Sequence, residues 1–161
     1  MLINKKLLDA LNEQIGWEFF ADKQYLAMAI YFEERGLPKL AKFFYAQADE
    51  ERTHGLKIVK YIVEAGGKAQ IPAINAPKNT FSSAEEVAQL FVDQEHEVTQ
   101  NFYKMADTAL AEKDYMTFNF LQWFIEEQLE EESSAGRFLQ LVQMSGEERI
   151  FQVEIVVAHE G

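Results

Sequence analysis

The chain has 161 residues, of which 48% are hydrophobic, so a single domain with a sizeable core is expected. Fifteen basic and 27 acidic residues give a net charge of −12, which disfavours nucleic acid and anionic membranes as partners because phosphates attract basic clusters. The sequence has no cysteine, no membrane-spanning apolar run and no recognisable export signal, so we expect a cytoplasmic protein whose metal ligands, if any, are carboxylate, imidazole or amide groups.

The first half of the chain predicts two long helices. Residues 4–35 form one periodic segment, and Pro38 is a favourable first residue for the next helix. This second helix extends to about Ala65. The polar stretch of residues 66–81 contains two prolines and cannot be helical throughout. The short first connection therefore makes helices one and two antiparallel neighbours, and the long connection permits a crossover along the bundle.

The second half of the chain predicts a similar pair of helices. Ser82 and Glu85 have the spacing of a capping box, which opens a third helix that extends to about Glu112. A fourth helix follows a short turn and ends where the C-terminal segment, residues 146–161, begins. A short fifth helix is expected in that segment. We predict an all-α fold: an up-down four-helix bundle over residues 1–145, with one long crossover between helices two and three.

Each predicted helix carries a stripe of small and apolar residues at steps of three and four, the spacing of a buried helix face. Every stripe is interrupted near its middle by polar residues. The interrupting residues are Glu18, Glu51, His54, Glu95, Gln128 and Glu131. They recur at equal intervals in the two halves of the chain, so antiparallel hairpins bring them to one level of the bundle.

Burying these acidic side chains without a compensating charge is unfavourable. Moving an ion from water into a protein core costs several kcal/mol of free energy even after the protein relaxes. Four neighbouring carboxylates also repel one another. The stripes contain no Lys or Arg that could form a salt bridge with them. Two divalent cations would balance four carboxylates. Oxygen-rich ligands with one imidazole favour iron or manganese over zinc or calcium.

Three stretches of the sequence resemble a known family. They are residues 11–18, the Glu-Glu-Arg-Thr-His of residues 50–54, and residues 118–128. With similar spacing from residue 1 to about residue 145, the chain resembles the bacterial non-haem ferritins, which belong to the ferritin-like di-iron carboxylate proteins. The resemblance implies a ferroxidase and iron store, which oxidises Fe(II) with O2 or H2O2 and keeps ferric mineral inside a hollow homo-oligomer of 24 subunits.

The same resemblance implies two iron ions per subunit. Glu18, Glu51 and His54 would bind the first ion more tightly. Glu51 would also bridge to a second ion, which Glu95 and Glu131 would bind.

The second half of the chain departs from a symmetrical di-iron site. Gln128 stands where the symmetrical pattern has a carboxylate, and Glu131 stands where it has a histidine. Gln128 would therefore lie beside the second ion as a weaker ligand. A site with fewer strong ligands is expected to release iron more readily, which suits iron that passes through to a store.

Four further residues have a role that the resemblance implies and an ordinary alternative. Glu50, Glu127 and Glu130 match a third iron site of the family, but they are equally consistent with solvated acids on helix faces. Tyr25 lies on the same helix face as Glu18 and could donate an electron or a hydrogen bond. It could also be a core tyrosine with a satisfied hydroxyl group.

Two other groups of the same structural class, the bacterioferritins and the rubrerythrin-like peroxidases, match this sequence less well. Bacterioferritins carry a haem-binding Met between the Glu and His of the second helix, where this chain has Arg52 and Thr53, so no haem is expected. A di-iron peroxide scavenger with incidental iron storage is the alternative function, although rubrerythrin-like peroxidases usually add a module with four cysteines. A metal-free helical scaffold is the third hypothesis.

Residues 25–32 are apolar almost all round, which predicts a subunit interface.

Overall fold

The computed structural model describes residues 1–160, with the backbone alone for residues 159 and 160, and this part of the chain contains helices and no β-strand. The α-helices are α1 (Lys5–Glu34), α2 (Pro38–Glu64), α3 (Ala84–Ala111), α4 (Tyr115–Ser145) and α5 (Ile150–Glu160), with a 3-10 turn at Glu147–Arg149. The predicted all-α class is confirmed, including the four long helices and the short C-terminal helix. No helix among these residues is both long and apolar enough to cross a bilayer.

The long connection between α2 and α3 follows the length of α1. Asn12 bonds to the backbone of Lys68 and Gln70 near the start of this connection. Further along, the side-chain amide of Gln24 both donates to and accepts from the backbone of Lys78. These contacts confirm the predicted crossover, and they return the chain to the end of the bundle from which α3 starts.

The cap of α3 lies one residue later than the sequence pattern indicates. The side chain of Ser83, not Ser82, accepts a hydrogen bond from the backbone N–H of Glu86, and the Glu86 carboxylate accepts from the backbone N–H of Ser82. The predicted pairing of Ser82 with Glu85 is therefore wrong by one position. Burial of Phe81 and Ala84 sets the register of the helix, which places Ser83 at the last extended residue before it.

Every residue of the four predicted stripes is buried. The apolar ones form two hydrophobic clusters, one at each end of the bundle. The first includes Tyr25, Phe44 and Phe138, and the second includes Leu11 and Phe124. Each fully buried aliphatic or aromatic side chain contributes roughly 1.5–3 kcal/mol of hydrophobic free energy. The six polar residues that interrupt the stripes occupy the layer between the two clusters.

The C-terminal helix is anchored to the start of α2. The carboxylate of Glu154 in α5 accepts hydrogen bonds from the backbone N–H groups of Lys39 and Leu40, at 2.9 and 3.0 Å. These N–H groups lack partners within their own helix, and a carboxylate at a helix N-terminus is also favoured by the helix dipole. Val153 and Val157 are buried against the same end of the bundle. Side-chain capping and burial together fix a segment whose helix propensity is low.

Candidate metal centre

A cluster of polar side chains occupies the middle of the bundle, and each long helix contributes to it. α1 provides Glu18, α2 provides Glu51 and His54, and α3 provides Glu95. From α4 come Gln128 and Glu131. The exposed fraction of these six residues is at most 4%. The helical spacing of three and four residues places them on the inner faces, and the equal heights of the hairpins bring them together. We call these six residues the central cluster.

The carboxylates form two neighbouring ligand sets that share one residue. Glu18, Glu51 and His54 each offer a ligand atom within 4.8 Å of the others, and so do Glu51, Glu95 and Glu131. In the first set, the Nδ1 atom of His54 lies 3.5 Å from a carboxylate oxygen of Glu51. Glu51 is the residue that both ligand sets share.

Several carboxylate oxygens of the central cluster have no hydrogen-bond donor among the described residues. Both oxygens of Glu18 and one oxygen each of Glu51 and Glu131 are buried in this state. The carboxyl groups of Glu18 and Glu51 can bond to each other only when one of them carries a proton. Buried polar atoms are normally paired because an unpaired one loses its hydration without replacement. A cation among these oxygens would supply the missing partner.

The pKa values of the four carboxyl groups are raised above those of exposed acids. Burial raises the pKa of Glu18 and of Glu51 well above the usual value, and the neighbouring carboxylates raise it further. Burial, followed by the charge of Glu95, raises the pKa of Glu131 to about 10. Without a cation, the cluster holds protons at neutral pH. A bound cation displaces those protons, so binding is expected to strengthen as the pH rises.

Two residues fix the carboxyl group of Glu95 from opposite helices. The hydroxyl group of Tyr25 is fully buried and donates to Oε1 of Glu95 at 2.5 Å. The amide Nε2 of Gln128 donates to Oε2 of Glu95 at 3.2 Å and to the Glu95 backbone oxygen at 3.1 Å. Sequence reasoning missed Thr99, whose hydroxyl oxygen accepts from the same Gln128 amide and whose hydroxyl group donates to the Glu95 backbone. Its position four residues after Glu95 was the available signal.

The three residues predicted for a third iron site lie at different distances from the central cluster. Glu127 lies with its carboxylate 3.8 Å from Nε2 of His54 and forms a third possible ligand set with His54 and Glu131. Glu50 is exposed, but its carboxyl group approaches that of Glu131 at the edge of the cluster. Glu130 is exposed and belongs to none of the ligand sets found among the described residues.

A second feature that sequence reasoning missed is the surrounding of His54. The Trp123 ring stands edge-on to the imidazole, with ring centroids 5.5 Å apart. The ammonium group of Lys57 lies 3.4 Å from the centre of that Trp123 ring. Burial lowers the pKa of Lys57, and the carboxylate of Glu127 opposes this change.

Buried carboxylates from four antiparallel helices, with a histidine three residues after one of them, define the class of ferritin-like carboxylate bundles. Residues 8–145 match the family model of the ferritin-like domain, and the chain belongs to the ferritin family.

Relatives of known identity agree with this assignment. The chain is 46% identical over 132 residues to the bacterial non-heme ferritin of Staphylococcus aureus strain USA300, which covers 82% of this chain and 80% of the relative. It is 47% identical over 132 residues to the bacterial non-heme ferritin of Staphylococcus saprophyticus, covering 82% and 79%. Among solved structures, an open pore ferritin from the archaeon Archaeoglobus fulgidus matches with a TM-score of 0.92 and 31% identity, covering 96% of this chain and 97% of that one.

Proposed function

We propose that this protein is an iron store that oxidises Fe(II) at the central cluster and retains the product as ferric mineral inside a hollow homo-oligomeric shell. The observation that carries the proposal is the set of buried carboxylate oxygens without hydrogen-bond donors, arranged as two ligand sets around Glu51. None of the buried residues described is Lys or Arg, so cations from solution are the available counter-charges. The family resemblance of the sequence implies 24 subunits, and we propose this number for the shell.

Iron is the substrate of the proposed reaction. Two Fe(II) ions lose one electron each, and O2 takes up both electrons and two protons to become H2O2. When H2O2 is the oxidant, it takes up two electrons and two protons and becomes two molecules of water. Hard carboxylate ligands favour Fe(III) over Fe(II), so the cluster assists the loss of electrons. Hydrolysis of Fe(III) then yields the mineral.

The two ligand sets are proposed to differ in how tightly they bind iron. Glu18, Glu51 and His54 form the proposed tighter site because all three can present a ligand atom directly. Beside the second set, Gln128 donates its amide N–H groups to Glu95 and adds no negative charge. This second site is therefore proposed to hold iron less tightly and to pass it on.

Two acids, Glu127 and Glu50, are proposed to act on iron beyond the two ligand sets. Glu127 can bind a third ion with His54 and Glu131, because their ligand atoms lie within 4.8 Å of one another. Glu50 would assist from the edge of the cluster. A role for Glu130 stays a prediction from the sequence.

The test measures iron oxidation by apo-protein under air. Wild-type protein is expected to oxidise Fe(II) faster than buffer does, and Glu51→Gln, which removes the shared charge, to lose most of this acceleration. Glu97→Gln is the matched control because Glu97 is exposed on α3 and away from the cluster. Equal rates for wild type and Glu51→Gln would contradict the proposed site and favour a metal-free scaffold.

A second measurement separates storage from peroxide scavenging. Sedimentation with iron analysis is expected to show a large particle that keeps far more iron than two ions per chain in solution. Loading that stops at about two ions per chain, with rapid H2O2 consumption by an external reductant, would favour the scavenger. The cytoplasmic location and the absence of haem remain predictions from the sequence.

A further inference from the structure

A cavity of about 490 Å³ lies at the junction of α2, α4 and α5, apart from the central cluster. Its rim carries the side chains of Lys39, Lys42 and Arg137, and the apolar part of its wall includes Phe43 and Phe138. We call this cavity the basic pocket. Its volume falls within the range of roughly 300–1,000 Å³ that is common for small-molecule sites.

The charge of the basic pocket is opposite to that of the protein. Three cationic residues and two serines line it, and no acidic residue is among the lining residues described, although the chain has a net charge of −12. Within the part of the chain whose side chains are described, Lys39 and Lys42 form no salt bridge. The nearby carboxylate of Glu154 is bound to the backbone N–H groups at the start of α2. Arg137 has interactions of its own and contributes charge to the wall.

The wall of the basic pocket is apolar below this rim. The rings of Phe43 and Phe138 are stacked, with centroids 5.7 Å apart and planes 12° apart. Phe138 and Val157 are buried, and Leu141 completes this apolar wall. An inorganic anion would satisfy the lysines and leave this surface in contact with water. A neutral apolar molecule would cover the surface but would not use the cations.

We propose that the basic pocket binds an amphipathic anion, a molecule with an apolar chain that ends in one anionic group. The anionic group lies between Lys39 and Lys42, where charge-assisted hydrogen bonds are available. The apolar chain lies against Phe43 and Phe138. This site is independent of the iron chemistry proposed for the central cluster.

The test titrates assembled protein with octanoate, 1-octanol and inorganic phosphate in a calorimeter. Octanoate is expected to bind saturably, and each of the other two molecules at least about tenfold more weakly, since each lacks one half of the interaction. Lys42→Glu is expected to weaken octanoate binding at least about tenfold, the order expected for one charge-assisted hydrogen bond. Lys60→Glu is the matched control because Lys60 is an exposed lysine of α2 outside the pocket.

A second variant tests the cavity rather than the charge. Ala46 is an exposed lining residue, so Ala46→Trp fills the pocket without a change in charge and is expected to abolish octanoate binding. Ala111→Trp, at an exposed position at the end of α3, is the matched control.

Unchanged octanoate binding in Lys42→Glu or in Ala46→Trp overturns the proposal. So does phosphate or octanol binding as tight as that of octanoate, or no octanoate binding by the wild-type assembly. Fe(II) oxidation by both pocket variants is expected to equal that of wild type, which keeps this test separate from that of the proposed function.

Discussion

Glu95 is the residue whose environment is most fully defined by its neighbours. Its carboxyl group belongs to the second ligand set and accepts hydrogen bonds from Tyr25 and Gln128. Burial raises the pKa of Glu95, whereas these two donors act in the opposite direction. The donors therefore favour the charged, cation-binding form of this carboxylate. Tyr25 acts through Glu95, so we assign it a positioning role and leave the proposed electron donation as a prediction.

Tyr25→Phe tests this role because it removes one hydroxyl group and keeps the ring. The ring of Tyr25 packs edge-on against Phe91 at 5.2 Å, so the core is expected to stay intact. The free energy of unfolding should fall by about 1 kcal/mol, the net value of one hydrogen bond. Fe(II) oxidation should slow several-fold, and its pH profile should shift to higher pH because Glu95 loses a donor that favours its charged form.

The pH profile distinguishes positioning from a purely structural effect. Tyr103→Phe is the control, since Tyr103 is 48% exposed and its neighbourhood contributes to none of the ligand sets found among the described residues. A rate loss with an unchanged pH profile would contradict the positioning role of Tyr25.

The long helices approach one another closely where glycine permits it. A methyl group built at Gly55 of α2 would lie 2.5 Å from the ring of Phe19 in α1, closer than real contacts allow. One at Gly16 of α1 would lie 2.6 Å from Pro72 of the crossover. These contacts lie at the level of the central cluster and on the path of the crossover. They show why a glycine in a helix interior, which is unfavourable for the isolated helix, is kept where α1 meets a neighbour.

Gly55→Ala and Gly136→Ala form a matched pair at this scale. Alanine favours a helix over glycine by up to about 1 kcal/mol, so Gly136→Ala, which meets nothing within 4 Å, should raise the free energy of unfolding. Gly55→Ala should lower it by about 1–3 kcal/mol because the ring of Phe19 must move. Urea unfolding of both variants measures the difference. Equal stabilisation by both changes would show that the contact with Phe19 is not limiting.

At the scale of the whole molecule, a polar layer divides the core into two hydrophobic clusters. Each helix contributes to both clusters and to the layer between them, so a cation bound in that layer would connect all four helices. The folded protein holds protons on carboxyl groups that the unfolded chain releases at lower pH. The pKa of Glu131, for example, is about 10 in the folded protein, against about 4.3 for an unperturbed glutamate. This contribution to stability is complete below pH 4.3 or so and is lost as the pH rises toward the folded value.

A redox-inert cation tests this coupling. The cluster contribution to apo-protein stability is expected to fall between pH 5 and pH 8 or so, because the raised pKa values lie above those of the unfolded chain. Zn²⁺ should stabilise the protein by about 2.7 kcal/mol at a hundredfold excess over its dissociation constant. The apparent dissociation constant should itself fall at higher pH as fewer protons must be displaced. Thermal unfolding with and without Zn²⁺ at both pH values provides the measurement.

The control for the Zn²⁺ experiment uses the two variants already described. Glu97→Gln should keep the stabilisation by Zn²⁺, and Glu51→Gln should lose most of it. Equal stabilisation of the two variants would mean that the cation binds elsewhere.

The sequence by itself determined the buried faces, the four long helices and the six polar residues of the central cluster. Helical periodicity is a local property that can be identified from the sequence. An acid within an otherwise apolar stripe is therefore predicted to be buried, and its burial is predicted to be unfavourable without a counter-charge. Thus Glu18 and Glu95 could be assigned to one layer without coordinates, from equal spacing in two hairpins.

Only the tertiary structure decided details that depend on side chains from different helices. Glu127 and Glu130 lie one turn apart on α4, yet only Glu127 meets a ligand atom of α2, namely Nε2 of His54. The capping register at Ser83 likewise follows from burial of Phe81. The basic pocket also depends on tertiary structure, because α5 must pack against α2 and α4 before its walls exist. Spacing along a chain specifies one helix face, whereas packing between helices selects which atoms on neighbouring faces meet.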